Sequence, residues 1–475
     1  MPFRRPRPPY RRPGDPVPRH APPPPVLSPP TPEERAADRA RDKRIRALAI
    51  PALATLAVEP IYVLTDTAIV GRALGTSALG GLALASTVLS GLLWACNFLS
   101  FGTTSRVALL TGRGRHREAA ASAAQGLWLA VSVGLLLLVA VGGGAGWLAR
   151  ALGGEGEVLD AATTYLRISA VGIPFILIPL VGQGYLRGLS DTRTPLRIVL
   201  LGNLANLGLE LLFVYGLGWG VAGSAWSTVI AQAGVAAVFA VLLGRRVRDL
   251  DAPLRPNGRE IRGLVVVGRH LFLRTGALLA ALTLSTSTAA RIDAPSLAGH
   301  HIALQLFTFL ALVVDSLAIA AQAMVGTLLG AGDRAEVRAT GHRLMRMALR
   351  VGVGLAVVVC AASDFVPAIF SEDERVLDRA VVAVLLLGLL QIPAAIAFTL
   401  DGILMGASDF RFLQWTTITA LAAFVPVAVL VTSRPELGLS ALWSGLILWM
   451  SVRAAVSWVR YQGDRWMAVS ESAAH

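Results

Sequence analysis

Charged residues, cysteine and lysine are all scarce in this sequence. Only 15% of the 475 residues are charged, whereas a typical soluble chain carries roughly 25%. Cysteine occurs twice, at Cys96 and Cys360, each inside an apolar stretch, which favours two buried free thiols over a disulfide framework. Lys43 is the one lysine, so nearly all positive charge is arginine. These shortages argue against a soluble globular protein and against a disulfide-rich secreted one.

The chain is rich instead in long apolar stretches. Hydrophobic residues make up 54% of it, and the mean hydropathy is +0.62. Stretches of about twenty apolar residues recur along its whole length, and each can cross a hydrocarbon core of ~30 Å. Backbone groups in lipid must be hydrogen-bonded internally, so we expect these stretches to be helices.

Twelve such helices are predicted, which makes the chain an all-α polytopic membrane protein embedded in a lipid bilayer. The predicted boundaries are 46–70, 78–108, 121–149, 160–186, 195–217, 219–244, 262–290, 296–329, 342–369, 376–405, 412–432 and 438–460.

The distribution of arginine predicts the orientation of these helices. Alternate loops contain arginine clusters, such as those at 113–117 and 245–248, whereas intervening loops contain acids such as Glu155 and Asp373. By the positive-inside rule, both termini are expected in the cytoplasm. The formal net charge of +13 therefore indicates membrane orientation, and no nucleic-acid partner is expected. The composition favours a bacterial plasma (inner) membrane as the location.

The domain organisation follows from the same patterns. Residues 1–44 are rich in proline and arginine and lack an apolar run, which predicts a disordered cytoplasmic tail. We predict six-helix lobes at 45–244 and 262–460, a cytoplasmic linker at 245–261 and a cytoplasmic C-terminal tail at 461–475.

An internal repeat supports the two-lobe arrangement. A constant offset of 218 residues aligns three separated pairs of segments: 78–81 with 296–299, 110–114 with 328–332, and 188–191 with 406–409. We therefore predict two pseudo-symmetric lobes of the same topology. Parallel repeats of this kind are a known transporter plan, in which the substrate path lies between the repeats.

Acids and amides inside the predicted spans are candidates for function, because an intramembrane charge costs roughly 2.5–3.5 kcal/mol. Glu59 and Asp66 are seven residues apart and share one face of helix 1. Asn203, Asn206 and Glu210 share one face of helix 5. An ionised carboxylate without a cationic partner is disfavoured in such an environment, so these acids are candidates to bind a proton or another cation.

Gln183 at the end of helix 4 and Thr228 in helix 6 complete this predicted polar cluster. The repeat offset places apolar residues at the corresponding positions of the second lobe: Leu284 for Asp66, Phe424 for Asn206 and Ala428 for Glu210. A purely structural requirement would tend to recur in both copies. We therefore predict a cation or proton site in the N-terminal lobe alone, with satisfied structural carboxylates as the alternative.

The second lobe has its own intramembrane acids. Asp315 aligns with Asn97 and Asp401 aligns with Gln183. The sequence leaves open whether these acids line a substrate cavity or form structural hydrogen bonds.

Two further features of the predicted helices concern bending and metal binding. Pro51 and Pro60 interrupt helix 1 and are either kinks that permit bending or tolerated breaks. His300 and His301 open helix 8 without an acid or cysteine at ligand spacing, so no metal site is expected.

Several motifs together resemble the multidrug and toxic compound extrusion (MATE) family, and its DinF-like branch in particular. They cover residues 46–460 in the expected order, and comprise EPIYVLTDTAIVGRALG at 59–75, GYLRGLSDTRTP at 184–195, AGHHIALQ at 298–305, AAQAMVGTLLGAGD at 320–333 and DGILMGASDFR at 401–411.

The resemblance implies roles for individual residues. Asp66 matches the family's first-helix acid, Asn206 the amide beside it and Thr228 a hydroxyl in the same pocket. Glu210 stands where an aspartate is usual and Gln183 where an asparagine is usual, which keeps the polarity but leaves the coupling ion open. A proline at the position of Pro51 is linked in the family to bending of helix 1.

The function implied is export of a small cationic or amphipathic molecule in exchange for protons or sodium. We expect a monomer that needs no cofactor beyond the coupling ion. A flippase for lipid-linked precursors is the alternative within transport, although few arginines were apparent within the predicted spans. A membrane-embedded enzyme is the alternative of another class, but no nucleophile–base pair or acid-rich metal motif is evident.

Overall fold

The computed structural model describes residues 31–472, and every regular element in that range is helical. Fourteen α-helices lie in this range: α1 Pro32–Cys96, α2 Phe98–Gly112, α3 His116–Ala151, α4 Gly156–Gly188, α5 Arg193–Leu211, α6 Gly220–Asp249, α7 Gly258–Ala290, α8 Ala294–Gly330, α9 Arg334–Ala361, α10 Phe365–Phe370, α11 Glu374–Gly406, α12 Phe410–Ser433, α13 Gly438–Gln462 and α14 Arg465–Ser472.

The structure agrees with the predicted number of membrane spans. Among residues 31–472, eleven helical stretches are long and apolar enough to cross a membrane, and the first of them, Pro32–Gly112, is 81 residues long. One straight helix of that length would extend about 120 Å, far more than a bilayer. Gly75 divides the stretch, because its backbone is not helical (φ 80°, ψ −171°). Counting the two parts separately gives twelve spans.

The beginning of α1 corrects the prediction of a disordered tail. Thr31 and Glu34 form a capping box: the Thr31 amide donates to Glu34 Oε2 at 2.8 Å, and the Glu34 amide donates to Thr31 Oγ1 at 3.2 Å. Pro32 occupies the first helical position, where a backbone N–H would have no partner within the helix, so the missing N–H of proline costs nothing. Residues 32–44 are therefore helical, and residues 1–30 of the predicted tail lie outside the described residues.

Other boundaries and bends also differ from the prediction. The helix continues through Pro51 and Pro60, and the interruption of α1 lies at Gly75. The predicted linker at 245–261 is shorter in the structure, since α6 extends to Asp249 and α7 begins at Gly258. The predicted C-terminal tail includes helix α14.

Backbone geometry supports the repeat in detail. Ser190 and Ser408, which the offset of 218 aligns, have the same left-handed conformation, with φ of 62° and 63°. Gly114 and Gly332 are likewise aligned and have φ of 72° and 77°. Since a serine rarely adopts positive φ, the shared conformation indicates that the two lobes make the same turn after their fourth helices.

The two lobes contact each other along α2 and α8. A Cβ atom on Gly112 would lie 2.0 Å from the carbonyl oxygen of Thr327, and one on Gly330 would lie 2.1 Å from that of Leu109. These two contacts are related by the repeat. Glycine is therefore required for the backbones to approach so closely, as in other small-residue helix contacts in membranes.

Hydrogen bonds strengthen this interface. Gln322 on α8 donates from Nε2 to the Phe101 carbonyl oxygen and to Ser105 Oγ, each at 2.8 Å. Ser105 Oγ also lies 2.7 Å from the Met405 carbonyl oxygen on α11, to which it can donate. All three helices are thus joined by polar contacts that are buried away from water.

Ion pairs join α1 to α9 beyond this interface. Arg41 binds both carboxylate oxygens of Glu336, at 2.8 Å from Nε and 2.6 Å from Nη2. Asp42 pairs in the same bidentate way with Arg343. Bidentate guanidinium–carboxylate pairs are among the stronger protein hydrogen bonds, so the first helix is tied to the second lobe.

We predict that Gly330→Ala lowers the thermal stability of the purified protein. The added methyl group meets the Leu109 carbonyl and must separate α2 from α8, and overpacking of this kind costs about 1–3 kcal/mol. Gly143→Ala is the matched control, because a Cβ atom there has open space around it. An unchanged melting temperature for Gly330→Ala in detergent would contradict the close contact.

Candidate cation and substrate site

Asp66 is buried at the contact between α1 and α6. Its side chain is 5% exposed, and its Oδ1 atom accepts a hydrogen bond of 2.9 Å from Ser224 Oγ. This is a hydroxyl contact and not an ion pair. The hydrogen bond from Ser224 therefore stabilises the carboxylate of Asp66 but does not neutralise its charge.

Glu210 lies near Asp66 on the facing helix α5. The two carboxylates interact electrostatically, and Glu210 also interacts with Ser224. Glu210 is fully buried, and neither of its carboxylate oxygens has a hydrogen-bond partner among residues 31–472. Two acids thus approach each other in the membrane interior, and one of them has no hydrogen bond to compensate its burial.

Thr228 on α6 connects this acid pair to its neighbours. Its Oγ1 atom is 3.0 Å from the Tyr62 hydroxyl and accepts a 3.5 Å hydrogen bond from Asn206 Nδ2. It also donates to the Ser224 carbonyl oxygen at 3.2 Å. Asn206 Oδ1 is buried without a partner among the described residues. Four residues singled out from the sequence, Asp66, Asn206, Glu210 and Thr228, are therefore brought together.

Sequence reasoning missed three members of this cluster. Tyr62 and Tyr165 both interact with Asp66, and Ser224 is its hydrogen-bond donor. Tyr62 precedes Asp66 by one helical turn, and Ser224 precedes Thr228 by one turn. Helical spacing from the predicted residues could have found both, whereas nothing in the sequence relates Tyr165 on α4 to the acids.

A cavity of about 300 Å³ lies beside this cluster. At the acidic end, which we define by Tyr62, Asp66, Tyr165, Asn206 and Thr228, it reaches the acid pair on the side of Asp66. At the Arg187 end, the cavity is bordered by Asn97, which directly precedes α2, and by polar side chains of α2, α4 and α8, namely Ser100, Gln183, Arg187 and Asp315. Apolar residues of the N-terminal lobe line the wall between the two ends. The cavity thus has the mixed polar and apolar lining that small-molecule sites share.

Gln183 lies at the Arg187 end and not with the acid pair. Its Oε1 atom accepts a 3.0 Å hydrogen bond from Arg187 Nη2, and Arg187 Nη1 donates to Ser100 Oγ at 3.3 Å. Its position one turn before Arg187 on α4 explains this pairing. The predicted grouping of Gln183 with Asp66 is therefore not seen, although both line the same cavity.

The secondary residues singled out from the sequence divide into two groups. Glu59, Asn203 and Asp315 line the cavity. Asp401 instead forms buried ion pairs in the second lobe, where its Oδ2 atom is 2.5 Å from Arg274 Nη2 and 2.6 Å from Arg453 Nη2.

These ion pairs correct the expectation that few arginines lie within the membrane spans. Arg274 on α7, Arg453 on α13 and Arg187 on α4 are all buried. The partners of Asp401 are 127 and 52 residues away in sequence, so no local sequence pattern predicts these ion pairs. Among residues 31–472, the first lobe therefore has an acid pair without an ion-pair partner, and the second has an acid bound by two arginines.

The chain is similar to a known protein family. The MatE family profile matches residues 51–212 and 278–431, one segment in each lobe. Protein DETOXIFICATION 44, chloroplastic, from Arabidopsis thaliana is 34% identical over 295 residues, which cover 62% of this chain and 55% of that protein. The chain thus spans little more than half the length of the Arabidopsis relatives. DNA damage-inducible protein F of Escherichia coli (strain K12) is 26% identical over 437 residues, covering 90% of this chain and 95% of that protein.

Solved structures share the fold. A crystal structure described as MATE in the bent conformation has a TM-score of 0.84 at 22% identity, covering 92% of this chain and 97% of that chain. A structure of a MOP superfamily transporter from Pyrococcus furiosus has a TM-score of 0.81 at 22% identity, covering 90% of this chain and 96% of that chain. At this identity the likeness concerns the fold.

We predict that Asp401→Asn destabilises the protein strongly whereas Asp66→Asn does not. The first substitution leaves Arg274 and Arg453 buried without their shared anion, and breaking a buried ion pair in this way costs about 3–5 kcal/mol. The second replaces a carboxylate that has a hydroxyl partner with an amide of the same shape. Thermal unfolding of both purified variants checks this, and equal stability of the two would show that the ion pairs of Asp401 carry little weight.

Proposed function

The chain belongs to the MATE family, and from that premise we propose that it is a secondary active exporter in which cation entry at Asp66 and Glu210 drives release of a small molecule. The observation that carries the proposal is the acid pair at one end of a cavity in the N-terminal lobe. We further propose a monomer in a bacterial plasma membrane with both termini in the cytoplasm.

Electrostatics supports coupling at the acid pair. Two carboxylates that share a buried site repel each other, and a single proton or cation bound between them relieves the repulsion. Glu210 has no hydrogen bond among the described residues that would compensate its charge. Binding of a cation therefore changes the energy of this site more than it would at a solvated or ion-paired acid.

The surroundings of the acid pair suit either a proton or sodium. Hydroxyl oxygens of Tyr62, Ser224 and Thr228 lie in the cluster, and Asn206 Oδ1 has no partner among residues 31–472. Neutral oxygens of this kind coordinate hard cations, and a carboxylate can equally take up a proton. We propose exchange for a proton or sodium and leave the identity of the ion to experiment.

The charge of the cavity favours a cationic substrate. Three acids, Glu59, Asp66 and Asp315, line the cavity together with one arginine, Arg187. The apolar wall accommodates the hydrocarbon part of an amphipathic molecule. A flippase for anionic lipid-linked precursors is less well supported, because the other two buried arginines, Arg274 and Arg453, are ion-paired with Asp401.

The proposed mechanism alternates between two charge states. With Asp66 and Glu210 ionised, the acidic end attracts the substrate cation. Entry of one proton or one sodium ion from outside lowers the negative charge of the pair from two to one. The pair then attracts the substrate cation less strongly, and the substrate leaves outward. The lobes then return to the opposite orientation by alternating access around the site. This change requires the α2–α8 contact and its hydrogen bonds to rearrange.

We predict that Asp66→Asn abolishes gradient-driven export of a cationic dye from vesicles, because the amide cannot gain a proton at this position. Proton and sodium gradients are imposed separately, so that the same assay identifies the ion. Asp160→Asn, at an exposed position near the start of α4, is the matched control and should export at the rate of the unsubstituted protein. Undiminished coupled export by Asp66→Asn would eliminate Asp66 as the coupling residue.

A further inference from the structure

The repeat relates the cavity of the first lobe to a cluster of charges in the second. Four cavity-lining residues of the N-terminal lobe have charged residues at the aligned positions of the C-terminal lobe, with the offset of 218 residues. The aligned pairs are Leu56 with Arg274, Asn97 with Asp315, Gln183 with Asp401, and Val235 with Arg453. The second lobe therefore places two positive and two negative residues where the first lobe has its cavity.

Three of these four residues are joined by ion pairs. Asp401 binds both Arg274 and Arg453 through Oδ2, and Asp315 is attracted to Arg274. In a low-dielectric interior, such pairs persist only when opposite charges lie close together. The second lobe thus has ion-paired side chains at three of the positions that align with cavity-lining residues of the first lobe.

Asp315 differs from the other three because it also faces the cavity. Together with Ile319, one turn further along α8, it forms the contribution of the C-terminal lobe to the lining given above. Arg187, on the other lobe, lines the same cavity and attracts Asp315. Asp315 therefore lies at the junction of the lobes, with a guanidinium group from each lobe drawn to it.

We propose that Asp315 is a specificity-determining residue that binds the cationic group of the substrate in competition with Arg187. The proposal rests on the cationic substrate class of the proposed function and adds a second contact, supplied by the opposite lobe. Arg187 is held by hydrogen bonds to Gln183 Oε1 and Ser100 Oγ, so its position does not depend on Asp315.

A substrate in the cavity can contact acids of both lobes. Asp66 belongs to the N-terminal lobe and Asp315 to the C-terminal lobe, while both line one cavity. A cation held by Asp315 contacts the lobe that moves relative to the acid pair during alternating access. Substrate binding and lobe movement are thereby linked through one carboxylate.

The test is equilibrium binding of ethidium, a cationic dye, to the purified full-length protein, followed by fluorescence polarisation without any ion gradient. Asp315→Asn should weaken binding by about tenfold or more, as expected for loss of a charged contact. Asp315→Glu keeps the charge and should bind within about threefold of the unsubstituted protein. Arg187→Gln removes the competitor and should tighten binding by about threefold.

The opposite signs of the two substitutions make the test decisive. If Asp315 and Arg187 form only a structural pair, both Asp315→Asn and Arg187→Gln weaken binding, which overturns the proposal. Equal binding by Asp315→Asn and the unsubstituted protein also overturns it, while leaving the proposed function intact. If the unsubstituted protein binds no cationic dye, the proposed substrate class is wrong and this proposal falls with it. Should Asp315→Asn not fold, the sign of the Arg187→Gln effect still decides.

Discussion

The cost of burying charge in a membrane is the constraint on which the rest of this structure depends. An ionisable side chain inside the membrane spans is usually paired with an opposite charge, and one that is left unpaired commonly has a function. The C-terminal lobe meets this requirement with ion pairs, in which Asp401 is shared by Arg274 and Arg453. The N-terminal lobe does not, since Asp66 has a serine partner and Glu210 has no hydrogen bond among residues 31–472. Two lobes of one topology thus differ in how their buried acids are compensated, and the proposed function depends on this difference.

The close contact between the lobes determines what such a change can do. Gly112 and Gly330 allow α2 and α8 to approach at a repeat-related pair of contacts, and Gln322 adds hydrogen bonds to the opposite lobe. Arg41 and Asp42 add ion pairs from α1 to α9. Closely packed interfaces of this kind tend to switch between discrete arrangements instead of deforming gradually. The proposed function uses this property: a change of charge at the acid pair moves whole lobes.

Much of the fold could be predicted from the sequence, because apolar length and the 218-residue repeat are local or periodic signals. Helical spacing also placed Asn206 and Glu210 on one face of helix 5, and in the structure Asn206 contacts Thr228 while Glu210 lies near Asp66. The errors concern contacts of two different kinds. The ion pairs of Asp401 join residues that are 127 and 52 positions apart in sequence, so no local pattern predicts them. Gln183 instead binds Arg187, which is one helical turn away, and the prediction did not consider this local partner. The start of α1 was missed for another reason. The residues of the capping box, Thr31 and Glu34, can be recognised in the sequence, but they directly follow a proline-rich segment that was predicted to be disordered.

The central claim is that one cation is exchanged for substrate at Asp66 and Glu210. Its most direct test is the number of protons released when a cationic substrate binds, obtained by calorimetry in buffers of different ionisation enthalpy, with and without sodium. If the proton is the coupling ion, about one proton is released per substrate bound; if sodium is, the affinity falls as sodium concentration rises. Either linkage should disappear when Asp66→Asn and Glu210→Gln are combined. Linkage of unchanged size in that double variant would contradict the account.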